Sequence, residues 1–292
     1  MTQPSIKQHN KKADNTRTPG EQLRAIVYGA AVGDALGVPY EFMARDTFTC
    51  TDMVGGGAHR QPKGTFSDDT SLLLATCDSI RHKRKIDVKD MLQRFRQWSY
   101  EGAYAIDGAV FDIGRTVATA LSEGAGRSDE YSNGNGSLMR IAPLALTNAT
   151  NKQIAEVSGI THNHSLSKQA CITFVRILRE VRLSADLPAA IAKNIPDDPR
   201  FSFMENLSEM SRDEVSSGGY VMDTLCAALW CALHTNSYEQ CVQSAVNLGR
   251  DTDTTACVAG ALAGALYGQE AIPTKWLSDL RGKDIIESCL FL

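Results

Sequence analysis

Two short acidic segments carry the most chemistry in this chain. Ser67, Asp68, Asp69 and Thr70 stand directly before a leucine-rich stretch, and Asp251, Thr252, Asp253 and Thr254 directly before an alanine-rich one. Each set therefore falls at a helix N-terminus. There, Ser, Thr and Asp commonly accept orphan backbone N–H groups, and negative charge suits the positive end of the helix dipole. Capping would account for either segment alone. Two such segments, each introduced by a glycine-containing loop, instead suggest that the carboxylates converge. If Asp68, Asp69, Asp251 and Asp253 met near neutral pH, their repulsion would require protons or cations to offset it. An all-oxygen donor set of this kind suits magnesium or manganese better than zinc, and the segments lack the ligand spacing of a calcium-binding EF-hand loop.

A second feature is the loop Asn133, Gly134, Asn135, Gly136 and Ser137, which precedes the apolar run from Leu138. Its small residues would let backbone N–H groups approach an anion such as a diphosphate, although a plain turn and helix cap would explain the same residues. Arg140 could neutralise phosphate or make a structural ion pair. His162 and His164 are two residues apart, which fits neither a zinc-binding pair one helical turn apart nor a single helix face. Zinc deaminase and serine nucleophile-elbow patterns are absent.

The elements that must position these groups read as helices. Apolar residues recur at helical spacing from Gln22 into GDALGVPYEF, and again in SLLLATCDSI, VKDMLQRFRQW, IGRTVATAL, SKQACITFVRILREV, MDTLCAALWCAL, YEQCVQSAVNL and ACVAGALAGALYG. Alternating, strand-like runs are scarce. The expected fold is all-α, a single globular domain of many packed helices over residues 21–292, with the glycine-rich loops meeting at one end. Repeated Ala and Gly at intervals of three and four would let helix axes approach closely. Residues 1–20 hold almost no large apolar side chains and read as a flexible polar tail.

Composition excludes several classes. A net charge of −4 over 292 residues supplies no broad basic field for nucleic acid. Met1 leads into polar sequence, no apolar run reaches the roughly 20 residues of a membrane span, and the eight cysteines form no close CxxC pair. Buried free thiols and a cytoplasmic setting are expected.

GDALGVPYEF, GTFSDDTSLLLA, FDIG, NGNGSLMRIAPLAL, THNHS, GGYVMDTL and NLGRDTDTTACVAGALAGALYG resemble, in this order, the motifs of the ADP-ribosylglycohydrolase family over roughly residues 22–270. The resemblance implies an all-helical hydrolase that holds two divalent cations, Mg2+ or Mn2+, and releases ADP-ribose from ADP-ribosylated protein. By the same resemblance Ser67, Asp68, Asp69, Asp251, Asp253 and Thr254 are metal ligands, Glu41 lies close to the ions, His162 contacts substrate, and Tyr220 packs on the nucleotide. Asp112 resembles the aspartate of the arginine-specific branch, whose carboxylate would face the guanidinium; its alternative is the N-cap of the following helix. Two positions depart from the pattern: Ser67 replaces a usual threonine, and Arg250 stands where a second glycine is common. Glu41 is the acid–base candidate, since cleavage of an N-glycosidic bond must move protons between water and leaving group. The rivals are a non-catalytic ADP-ribose-binding protein of the same fold, and a phosphohydrolase. Some members of the family resemble immunity factors against transferase toxins, so a partner expectation also follows: residues 1–20 order on a cognate ADP-ribosyltransferase, weighed against an untethered terminus.

Overall fold

The computed structural model describes residues 17–292. Among them the regular structure is helical: α1 (Pro19–Gly37), α2 (Asp68–Lys83), α3 (Val88–Glu101), α4 (Arg115–Glu123), α5 (Asn151–Gly159), α6 (Ser165–Ser184), α7 (Leu187–Lys193), α8 (Val221–Leu233), α9 (Tyr238–Val246), α10 (Thr252–Tyr267), α11 (Thr274–Asp279) and α12 (Lys283–Cys289), with short 3₁₀ turns between them. β-pairing among these residues is confined to isolated bridges. All eight cysteines are buried and free, and among the described residues no helix is long and apolar enough to cross a membrane.

Helix α1 starts earlier than its apolar pattern. Thr18 and Glu21 form a reciprocal capping box with Pro19 in the first turn, and Arg17 reaches Glu270 and the Tyr267 carbonyl. Residues 17–20, assigned to the tail from sequence, thus belong to the helical body; the rest of the tail lies outside the described residues.

The centre of the molecule is the α1–α10 pair, and both helices are buried over most of their length. Glycine at four-residue spacing makes this packing possible. A Cβ on Gly29 would lie 2.3 Å from the Gly260 carbonyl oxygen, and one on Gly33 2.1 Å from that of Ala256. On Gly37 it would lie 2.3 Å from Asp253 Cα. The two backbones touch along a seam that any larger side chain would open. Helices α8 and α9 pack on α10, α2 packs on α1, and α6 packs on α5 and α8. The seam runs directly into the acidic segment at the start of α10.

Candidate metal and substrate site

Asp34 organises the first acidic segment from inside the core. It is the one charged residue in the apolar stretch of α1 from 25 to 37, fully buried, and its carboxylate accepts the Ser67 N–H at 2.9 Å, the Thr70 N–H at 3.0 Å and the Thr70 hydroxyl at 2.6 Å. Burial pushes its pKa up to about 6 against the pull of those donors. The start of α2 is thereby pinned to α1. Sequence reasoning passed over Asp34; its signal was a carboxylate amid residues that offer it no partner, which a buried charge must find elsewhere.

The two helix N-termini differ in how they use their polar groups. Ser67 does cap α2, accepting the Asp69 N–H at 3.3 Å, and its hydroxyl also lies 3.2 Å from Asp69 Oδ2. Asp251 occupies the N-cap position of α10 and makes no side-chain cap bond. Its Oδ2 instead accepts from Asn135 Nδ2 at 2.7 Å. Thr254 Oγ1 reaches across to Asp69 Oδ2 at 3.3 Å, so the two acidic segments meet.

The meeting is electrostatically costly as it stands. Asp68, Asp69 and Asp253 are buried, and desolvation with facing carboxylates holds all three well above the usual carboxylate range: Asp69 presses on Asp68 and Asp253, and Asp34 on Asp69. Asp251, partly buried, is raised by desolvation too. Asp69 Oδ1 and Asp253 Oδ2 are buried without any hydrogen-bond partner. Carboxylate oxygens left bare in a low-dielectric cluster fit the oxygen-donor chemistry of a hard divalent cation.

Glu41 closes the cluster. One oxygen each from Glu41, Asp251 and Asp253 lie within 4.8 Å of one another, and one atom each from Glu41, His59 and Asp112 do likewise. Glu41 is 7% exposed, and burial, followed by the charges of Asp112 and Asp251, pushes it up to about 9. His59 Nε2 contacts Glu41 Oε2 and lies 3.6 Å from Asp112 Oδ1. His59 escaped the sequence reading, because a histidine in a glycine-rich loop has no periodicity to place it.

Asp112 sits at φ 59°, in the left-handed region, and the N-cap of α4 is Gly114. Its carboxylate lies near Glu41 and His59 and does not cap the helix.

The glycine loop is built differently from a bare anion cradle. Asn135 N–H donates to the Gly219 carbonyl at 3.1 Å, and Val221 N–H to that of Asn133 at 3.1 Å, stitching the loop to the Gly218–Tyr220 segment. Asn135 Nδ2 also reaches Thr224 Oγ1 at 2.8 Å, so its side chain positions Asp251. Ser137 turns inward to Ser158 at 2.9 Å and Cys171 at 3.4 Å. Asn133 and Gly134 are partly open.

His162 is buried beneath this loop; a Cβ on Gly136 would meet its Cε1 at 2.8 Å. Burial lowers its pKa to about 3, which keeps it neutral. Its place is under the loop, as a support. Arg140 lies in the core, over the Phe95 ring at 4.6 Å and donating to Thr161 Oγ1 at 2.9 Å. It makes no ion pair among the described residues. Tyr220, 37% exposed, stands at the mouth beside Gly219, which approaches Asp251 closely.

Fold and site together define a helical protein whose buried carboxylates, gathered from two helix N-termini, suit hard divalent cations. The profile of the ADP-ribosylglycohydrolase family matches residues 15–291. The chain is 34% identical, over 90% of its length and 76% of the relative's, to the ADP-ribosylarginine hydrolase Tri1 of Pseudomonas putida strain GB-1. It is 32% identical to the ADP-ribosyl-dinitrogen reductase glycohydrolase of Rhodospirillum rubrum, covering 86% of this chain and 87% of that one. A solved structure, described as an ADP-ribosylglycohydrolase-related protein complex, superimposes with a TM-score of 0.78 at 32% identity, over 94% of this chain and 97% of its own. The chain belongs to the ADP-ribosylglycohydrolase family.

Proposed function

We propose that this protein hydrolyses the N-glycosidic bond between ADP-ribose and a protein arginine side chain, reversing mono-ADP-ribosylation. The observation that carries this reading is the placement of Asp112 beside Glu41, with His59 touching both, at the edge of the carboxylate cluster. Ser67, Asp68, Asp69, Asp251, Asp253 and Thr254 would hold two divalent cations, Mg2+ or Mn2+, and the bare oxygens of Asp69 and Asp253 fit that role. When bound, such ions supply Lewis-acid charge to the ribose hydroxyls and the attacking water. Cleavage builds positive charge on the anomeric carbon, which the surrounding carboxylates stabilise. Glu41, raised by burial and by its acidic neighbours, is the group suited to holding and moving a proton. Asp112 would accept N–H bonds from the guanidinium, and Asn133, Gly134 and Tyr220 flank the nucleotide. Asn135, Gly136, Ser137 and His162 keep that loop in place.

The test is incubation with peptides carrying arginine-linked or serine-linked ADP-ribose, with and without chelator, followed by mass spectrometry. Free ADP-ribose and intact arginine, formed fastest from the arginine linkage and lost with chelator, are expected. Binding without any product would establish the non-catalytic rival, and a cleaved diphosphate the phosphohydrolase.

The eight unpaired cysteines suit a cytoplasmic setting. We also propose that the polar N-terminal segment orders on a cognate ADP-ribosyltransferase, as an immunity factor would. Because Thr18 caps α1, a chain shortened to begin at Arg17 keeps the fold. Equal affinity of the short and full chains for such a transferase would refute that role.

A further inference from the structure

Phe42 is the residue immediately after Glu41, yet its ring is 67% exposed and its backbone is left-handed at φ 68°. A bulky residue in that region is strained and persists only where its surroundings impose it. They do so here. Phe42 N–H donates to the Arg250 carbonyl at 2.7 Å, and Arg250 N–H to the Met43 carbonyl at 2.7 Å. Gly249 packs against Arg45 so closely that a Cβ would lie 2.7 Å from its amide nitrogen. The loop before α10 therefore holds the Phe42 backbone in place while the ring stays in solvent.

That ring has aromatic company. Its centroid lies 5.7 Å from that of His59 at 53°, and His59 lies 5.2 Å from Phe111 at 46°. Phe111 directly precedes Asp112, and the His59 ring lies between the two phenyl groups while touching both Glu41 and Asp112. A rigidly placed, solvent-facing aromatic ring linked through His59 to the Asp112 carboxylate suits a planar cation whose face stacks on the ring while its edge donates to the acid.

We infer that Phe42, backed by His59 and Phe111, is a specificity-determining ledge for the arginine side chain that carries the ADP-ribose. The guanidinium stacks on Phe42 while Asp112 receives its N–H groups. This inference rests on the proposed arginine linkage.

The experiment compares wild type with Phe42→Ala, Phe42→Leu and Phe42→Tyr on an ADP-ribosylarginine peptide, together with the affinity for free ADP-ribose. Because the ring is exposed, its removal takes little from the core. Phe42→Ala and Phe42→Leu should raise KM about three- to tenfold, the range of a cation–π contact, with ADP-ribose affinity unchanged. Phe42→Tyr should behave as wild type. An unchanged KM in Phe42→Ala, or full rescue by Leu, would overturn the ledge while leaving the arginine linkage standing. Loss of ADP-ribose affinity in Phe42→Ala would assign the ring to the nucleotide and also overturn it. A wild-type enzyme that cleaved only serine-linked substrate would overturn the linkage and the ledge together.

Discussion

Substituting Gly37 with alanine should separate ion binding from folding. The added Cβ would sit 2.3 Å from Asp253 Cα, 2.4 Å from its amide nitrogen and 2.6 Å from the Thr252 carbonyl carbon, all backbone atoms. Ordinary contact begins near 3.4 Å, so α1 and α10 must part by about 1 Å at the first turn of α10. Metal–ligand distances tolerate only about 0.2 Å, so Asp253 would no longer share ions with Asp69. The overpacking should cost about 1–3 kcal/mol of stability, partly offset by alanine's better helix propensity, about 1 kcal/mol. Gly29→Ala is the control: it makes the same intrusion, 2.3 Å from the Gly260 carbonyl oxygen, but lies about 12 Å away along the helix. Calorimetric titration with Mn2+ and thermal melting, run on both variants, make the comparison. Gly37→Ala should lose at least tenfold in ion affinity, and Gly29→Ala should melt lower yet bind normally. A folded Gly37→Ala protein with wild-type ion affinity and turnover would refute the link between the glycine seam and the site.

The remaining predictions concern charge. In the metal-free protein Asp34 is raised to about 6 and Glu41 to about 9, so the folded state keeps protons that the unfolded chain has already lost. Their stabilising contribution is full below pH 4 and is lost as pH rises through 6 and then 9, Asp34 alone accounting for roughly 3 kcal/mol. Bound cations favour the deprotonated carboxylates, so the melting-temperature gap between Mn2+-loaded and metal-free protein should widen from pH 4 to 9; a constant gap would be contrary. Asp253→Asn removes a buried acid whose ionisation burial and the neighbouring carboxylates oppose, and should raise the melting temperature of the metal-free protein near neutral pH while reducing bound ions and activity; unchanged ion content would exclude Asp253 as a ligand. Asp112→Ala should lower kcat/KM on arginine-linked peptide about 100-fold or more, yet leave free ADP-ribose affinity within twofold, read by steady-state kinetics and calorimetry.

Much of the helical fold was legible because most long helices have an apolar face or are apolar throughout, and α1, α2, α3, α4, α6, α8, α9 and α10 all lie on patterns visible in the chain. The short α7, α11 and α12 were not singled out, since about two turns carry too little periodicity, and neither was α5, although it is as long as α4 and α9. The start of α1 was hidden by its cap, Thr18 and Pro19, which reads as polar tail. At the site, the paired acidic segments were visible because helix N-termini tie chemistry to local sequence. Asp34, His59 and Phe42 were not, because their roles depend on which distant loop they meet: Asp34 on the turn at Ser67, His59 on Glu41, and Phe42 on the Arg250 backbone. Ser137 and His162 show the converse limit. Their two motifs lie beside the site, but tertiary packing turns their side chains inward.

The central claim is that the two acidic segments form one cation-dependent catalytic centre. Mn2+ should be titrated into metal-free protein while bound ions are counted by native mass spectrometry and ADP-ribose release from an arginine-linked peptide is followed in the same samples. Two ions per chain are expected, with release rising in step with their binding and abolished in Asp68→Asn. Full release from protein carrying no ions, or wild-type ion binding and release by Asp68→Asn, would contradict it.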